Sequence, residues 1–344
     1  MPVVTAVAAL LAATWRSSPP LLTISTEEAA AAAVSLIPSG AGPLCWRRLR
    51  EHSARLPRRD AELLRSAYLD STIRGAKHEQ EVAEVFRLLR SAGIEPILVK
   101  GWAVGRLYAE SGLRPSGDID VHVPPEQRSA AEAVLNRQEN QRYWVDLDHD
   151  ELTRFGERSW EYLYQHSQSV SLHGTAVRVL GAEDQLRTLC LHFLKHGGWR
   201  PVWLCDIAAA LESRPGNFDW ERCLGTKARE REWVLCTIQL AGRLLDAELG
   251  DAPVRGALPA WLPTALLKQW SEPSISFLPR MITDVRRNWR TPRKLLAHVA
   301  QRWPNPIQAT VDEHGAFDNS PRLPLQIRNC VVRGMRLLGS NPGD

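Results

Sequence analysis

The sequence predicts an α+β fold, a small sheet flanked by helices, with helical segments before and after it. Three observations carry this reading. Apolar residues recur at near-helical spacing from about 43 to 92 and again beyond 182. Between them lie five short runs of strand character, at 94–99, 118–123, 142–148, 169–173 and 176–180. Glycine or proline punctuates most of the junctions.

Residues 1–40 read as one or two helices interrupted by Ser17-Ser18-Pro19-Pro20. Ser25-Thr26-Glu27-Glu28 is a helix start, because a serine hydroxyl and acids in the first turn satisfy and complement the exposed N–H groups. Helices follow over Leu44–His52 and from Arg59 to about Ala92, with Gly75 a possible break in the second. Gly93 stops that helix, and Ile94–Val99 is the first strand. A helix-like segment runs from Trp102 to Glu110, and a Gly117 turn leads into a second strand, Asp118–Val123. A helix is expected from Glu126 to about Arg137, then a third strand over Arg142–Asp148. Two short strands, Ser169–His173 and Ala176–Leu180, meet at Gly174. Beyond 182 the chain reads as helices: from Ala182 to Gly197-Gly198, with Leu186, Leu189, Cys190, Phe193 and Leu194 on one face; from Pro201; and from Glu230 to Leu249. Short helices are expected near 264–270, 276–286 and 292–302, followed by an irregular tail.

Bulk properties narrow the function classes. With 344 residues, 44% hydrophobic and 24% charged, the chain is long enough for two domains and has an ordinary globular composition. A net charge of +4 suits an anionic substrate, whereas no lysine-rich groove argues for long nucleic acid. The 13 tryptophans sit mostly in apolar or amphipathic segments and read as packing residues. The 6 cysteines are scattered without a Cys-x-x-Cys pair, which points to reduced buried thiols in a cytoplasmic protein and no zinc site. The apolar start, MPVVTAVAALLAA, lacks the basic residues that precede a secretory core, and no run approaches the ~20 apolar residues of a membrane span.

The chemistry gathers at Ile97–Val123. Residues i and i+2 of a strand share a face, so Asp118 and Asp120 project together while Ile119, Val121 and Val123 turn to a core. Adjacent carboxylates repel, and burying them unpaired is costly. A divalent cation resolves both problems, and oxygen-only ligands suit Mg²⁺ or Mn²⁺. A third acid on a neighbouring strand would complete such a site. Asp146 and Asp148 share the face of Trp144 on the third strand, and either serves. His192 and His196, spaced i,i+4, could bind a metal with Asp206, but interdomain hydrogen bonding is the preferred reading.

The elements Val99-Lys100-Gly101, Arg114-Pro115-Ser116-Gly117-Asp118-Ile119-Asp120-Val121-His122-Val123 and Val145-Asp146-Leu147-Asp148 resemble the nucleotidyltransferase superfamily with its polymerase-beta-like fold. The nearer resemblance is to an uncharacterised bacterial branch with Lys-Gly where most members have Gly-Gly or Gly-Ser. Leu189–Gly197 and Trp203-Leu204-Cys205-Asp206 resemble its later helices, so the likeness covers about residues 40–250. It implies a minimal nucleotidyltransferase mixed sheet over 75–180, between a helical N-terminal extension (1–74) and a helical C-terminal domain (181–305), with an irregular tail (306–344). It also implies transfer of a nucleoside monophosphate from an NTP, such as ATP, to a hydroxyl-type acceptor, with Mg²⁺ or Mn²⁺ held by Asp118, Asp120 and Asp146. Gly101 would let the backbone approach phosphate, with N–H groups of the following helix nearby, and Lys100 or Arg114 would contact phosphate oxygens. A structural ion pair is the alternative for Lys100. The expected acceptor is a small molecule or peptide natural product. A protein or RNA acceptor, of toxin–antitoxin type, and a non-catalytic binding protein that keeps the fold are the alternatives.

Overall fold

The computed structural model describes residues 3–147, 152, 158–271 and 303–339. Four helices precede the sheet: α1 (Val3–Leu11), α2 (Thr26–Ser35), α3 (Gly42–Leu49) and α4 (Arg58–Ser91). The start of α2 is the expected capping box: the Ser25 hydroxyl accepts from the Glu28 N–H at 3.2 Å, and the Glu28 carboxylate accepts from the Ser25 N–H at 3.2 Å. Helix α4 runs unbroken for 34 residues, so Gly75 does not divide it. A mid-helix glycine costs about 1 kcal/mol. Burial of Val82, Val85, Phe86 and Leu89 against the sheet outweighs that.

The sheet is built from β1 (Ile97–Leu98), β2 (Ile119–His122), β3 (Val145–Asp146), β4 (Gln168–Leu172) and β5 (Thr175–Val179). Between them lie the single turn α5 (Trp102–Gly105), α6 (Arg128–Leu135) and α7 (Trp160–Gln165). The strand order is β3-β2-β1-β5-β4. β1 is antiparallel to β2 and parallel to β5, and β2 is parallel to β3, so the sheet is mixed and the fold is α+β as expected. His173 and Gly174 take positive φ values of 47° and 74°, the two-residue turn that suits the twist of the β4–β5 hairpin. Strands β1 to β3 are shorter than their apolar runs suggested, because pairing extends only where a neighbour lies alongside.

After the sheet come α8 (Ala182–Lys195), α9 (Pro201–Glu212), α10 (Trp220–Leu224), α11 (Ala228–Leu245), α12 (Trp261–Ser271), α13 (Pro306–Asp312) and α14 (Leu323–Gly339). The apolar stripe expected of α8 is present, but the helix is buried nearly all round. Its charged side chains pair instead of facing water: Asp184 with Arg158 and Arg222, and Arg187 with Glu230. The tail expected to be irregular holds α13 and α14. Its prolines open helices: Pro306 follows Asn305, whose side-chain oxygen accepts from the N–H groups of Ile307 and Gln308. The helices expected at 276–286 and 292–302 lie outside the described residues.

Three cores result. Side chains from α1 to α4 and from the helices after the sheet form one, so the N-terminal extension and the C-terminal helices are packed as a single helical body. The sheet and the second half of α4 form the second, and Ile97, Val99, Leu163 and Leu180 form a small third. Five cysteines are buried and Cys330 is exposed, all as free thiols. Trp233 is fully buried, but Trp144 is 74% exposed and so departs from the packing role expected of the tryptophans.

Candidate functional site

Strand pairing assembles the acids. The parallel register of β2 and β3 sets Asp120 beside Asp146, and Asp118 lies two residues before Asp120 on the same face. One carboxylate oxygen from each of the three lies within 4.8 Å of the others. Backbone bonds hold the frame: Val99 N–H to the Asp120 carbonyl at 2.9 Å, and Ile119 N–H to the Trp144 carbonyl at 2.8 Å. Asp120 is buried, while Asp118 and Asp146 are half-buried and open to the cleft. Three hard oxygen donors converging from two strands, two of them reachable from solvent, fit a magnesium or manganese ion. Among the described residues Asp146 is the third acid of the cluster; Asp148 lies outside them.

Lys100 lies two residues after β1 with its ammonium 3.0 Å from Asp120 Oδ1, and both side chains are about nine-tenths buried. It therefore offsets part of the cluster's negative charge. Gly101 takes φ 60° and ψ −123°, a conformation that side chains disfavour, and a Cβ there would come within 3.5 Å of His78 Nε2 and 3.6 Å of the Asp118 carbonyl. The following helix is shorter than expected. The N–H groups of Ala103, Val104 and Gly105 bond back to the carbonyls of Lys100 and Gly101. The N–H groups of Gly101 and Trp102 lie before the first of these bonds.

Arg114 is paired with Asp206. Its Nε lies 2.9 and 3.1 Å from the two carboxylate oxygens of fully buried Asp206, which also accepts from the Tyr108 hydroxyl at 2.7 Å. Burial weakens the Arg114 guanidinium's hold on its proton, but Asp206 outweighs burial and keeps it above its usual range. Asp206 is thus committed to Arg114 and does not join the histidines. The His192 and His196 rings pack on each other and on Trp203, with centroids 4.5 to 5.5 Å apart. Among the described residues, the three aspartates are the one group positioned to share a metal ion.

Residues 36–246 match the profile of a family described as "Uncharacterised nucleotidyltransferase". The chain belongs to that family. The crystal structure of an antigenic nucleotidyltransferase-like protein from Paracoccidioides brasiliensis is similar over 51% of this chain and 95% of that one, at 16% identity and a TM-score of 0.37. No curated protein matches the chain. Within this nucleotidyltransferase family fold, further residues surround the acids that pattern reading did not single out.

His78 on α4 is buried, and its Nε2 has no hydrogen-bond partner among the described residues. Burial, with the Arg114 charge adding to it and Asp118 opposing both, lowers its pKa to about 4. Arg200, at the start of α9, donates from Nε to the Ser39 carbonyl and packs 5.5 Å from the centres of Trp199 and Trp203. Burial lowers its pKa, with Arg114 adding to this while Asp206 and Asp118 oppose it. Gln185 on α8 donates to the Val99 carbonyl at 2.8 Å, one residue before Lys100. None carries a local motif; each is recognisable only once α4, α8 and α9 are packed on the sheet.

Proposed function

We propose that this chain is a metal-dependent nucleotidyltransferase that moves a nucleoside monophosphate from an NTP to a hydroxyl-type acceptor on a small molecule or peptide natural product. The observation that carries the reading is the convergence of Asp118, Asp120 and Asp146 beside the glycine turn at 101. A divalent cation held by these three carboxylates would supply charge neutralisation on the triphosphate. The chain's own groups do the rest. The Gly101 and Trp102 N–H groups bind phosphate oxygens, and Lys100 adds a positive charge next to them. The acceptor oxygen attacks the α-phosphorus, forming a P–O bond as the bond to pyrophosphate breaks. Asp146, half-buried at the mouth of the cluster, takes the acceptor's proton. Trp144, two residues away on the same face and largely exposed, offers a stacking surface for the base.

One observation favours a second reading, a catalytically silent nucleotide-binding protein: the Lys100 ammonium already neutralises Asp120. Incubation with α-labelled NTPs, Mn²⁺ and cell extract separates the two. The enzyme transfers label to an acceptor, and a variant carrying Asp118→Asn with Asp120→Asn does not. Nucleotide binding without label transfer by the wild type supports the silent protein. Wild type that binds Mn²⁺ and ATP no better than this double variant refutes both readings.

A further inference from the structure

A second cavity opens at the same end of the sheet as the acids. It has a volume of about 230 Å³ and is lined by Arg106, Gln168, Leu180, Gln185, Ala210 and Ser213, among others. Its position follows from the register. Leu98 of β1 lies beside Val179 of β5, so Leu180 runs alongside Val99 just before Lys100. Gln168 of β4 pairs with Val179. The cavity therefore lies along the edge that carries Lys100 and the aspartates, displaced toward β5 and β4. Those strands are two and three spacings from β2, about 10 and 14 Å at ~4.8 Å per strand.

The lining has a consistent chemistry. Leu180, Ala210 and Gln185 are buried and make the floor; Arg106, Gln168 and Ser213 stand at the exposed rim. Arg106 follows α5 directly, and among the described residues no carboxylate pairs with it. Partial desolvation at the rim lowers its pKa, with no opposing acid among the described residues. A partly desolvated guanidinium without a counterion favours an anion that accepts two parallel N–H bonds. Gln185 ties the floor to the catalytic strand through its bond to the Val99 carbonyl.

We propose that this cavity is the acceptor subsite, and that Arg106 seats an anionic group of the acceptor, a carboxylate or a phosphate. This rests on the nucleotidyltransferase reading above. The volume is below the ~300–1,000 Å³ of sites that enclose a drug-sized ligand. It therefore takes a small molecule or one end of a longer one. The displacement along the sheet sets the rest: β3, which carries Asp146, is three spacings from β5, so the nucleophilic hydroxyl lies about 14 Å or more from the anionic group, with one end at Asp146 and the other on Arg106.

The test uses the full-length chain with three probes, hexanoate, inorganic phosphate and hexylammonium, in calorimetric or NMR titrations without metal. Hexanoate or phosphate binds the wild type and hexylammonium does not; whichever anion binds identifies the acceptor's charged group. Arg106→Met weakens that binding about 10–100-fold, the loss of a charge-assisted hydrogen bond, and leaves Mn²⁺–ATP binding unchanged. Ser213→Trp fills the cavity from another lining position and has the same effect without replacing the arginine. The double variant Asp118→Asn, Asp120→Asn keeps probe binding and loses Mn²⁺–ATP. Failure of both anions to bind, or full binding by Arg106→Met, overturns the subsite while leaving the nucleotidyltransferase reading intact. Mn²⁺–ATP binding that survives in the double variant overturns the reading itself.

Discussion

Replacing Lys100 with methionine tests how the acid cluster is held together. The Lys100 ammonium and Asp120 Oδ1 are 3.0 Å apart, with side chains 11% and 8% exposed. At an effective dielectric of ~20, Coulomb attraction across that gap is about 5 kcal/mol. Desolvation of the two ions offsets most of it in the wild type. The variant keeps the cost on Asp120 and loses the partner, and breaking a buried pair in this way costs about 3–5 kcal/mol. With a slope of about 3 kcal/mol per M, the urea midpoint falls by about 1–2 M. Methionine keeps the length of the stem, so the loss is one of charge. If the aspartates hold a divalent cation, Mg²⁺ or Mn²⁺ replaces the missing charge: about 2.7 kcal/mol returns at a hundred times the dissociation constant. Urea titrations of both proteins, with and without metal, check this. A variant midpoint equal to that of the wild type would refute the claim that Lys100 is the cluster's counter-charge. A midpoint that no divalent cation raises would refute the metal assignment.

The remaining predictions concern neighbouring groups. His78 has a folded pKa of about 4 against an unfolded value near 6.5, so the unfolded chain binds the extra proton between these pH values. Its contribution is full above pH 6.5 and lost as pH falls toward 4, about 3 kcal/mol in all; the urea midpoints of wild type and His78→Gln should converge or cross over that window by this amount, and parallel curves would contradict it. Arg114→Met strands the fully buried Asp206 carboxylate and lowers stability by about 3–5 kcal/mol in urea unfolding; an unchanged midpoint would show that the pair does not hold α9 to the Arg114 loop. Trp144→Ala leaves the urea midpoint unchanged because the ring is exposed, yet weakens ATP binding by about 1–3 kcal/mol in a fluorescence titration if the ring stacks on the base. Ellman's reagent labels one thiol, Cys330, in the native protein and all six after unfolding, since burial pushes the Cys45, Cys223 and Cys236 thiols up to about 12.

Much of this fold was legible in local pattern. The period-2 alternation of Asp118-Ile119-Asp120-Val121 set two acids on one face, and the apolar spacing of α4, α8 and α9 marked them as helices. Where local rules misled, packing had overruled them. Gly75 sits inside a continuous helix because the residues after it are clamped on the sheet. Pro306 starts a helix instead of ending order because Asn305 caps it.

The sequence by itself determined the chemistry available: a pair of carboxylates at i,i+2, a further acid on a later strand, and a lysine and glycine at the end of an apolar run. Those are properties of side-chain type and of backbone periodicity, which act over a few residues. Tertiary structure alone decided which groups meet. The parallel register of β2 and β3 brought Asp146 to Asp120. The packing of α9 gave Arg114 to Asp206, while Lys100 fell to Asp120. The strand order β1-β5-β4 set Arg106 and Gln185 around a cavity on the same edge. Such partnerships join residues as many as 92 positions apart. Electrostatic and hydrogen-bond energies depend on separations of a few ångströms in space, and no local pattern along the chain encodes those separations.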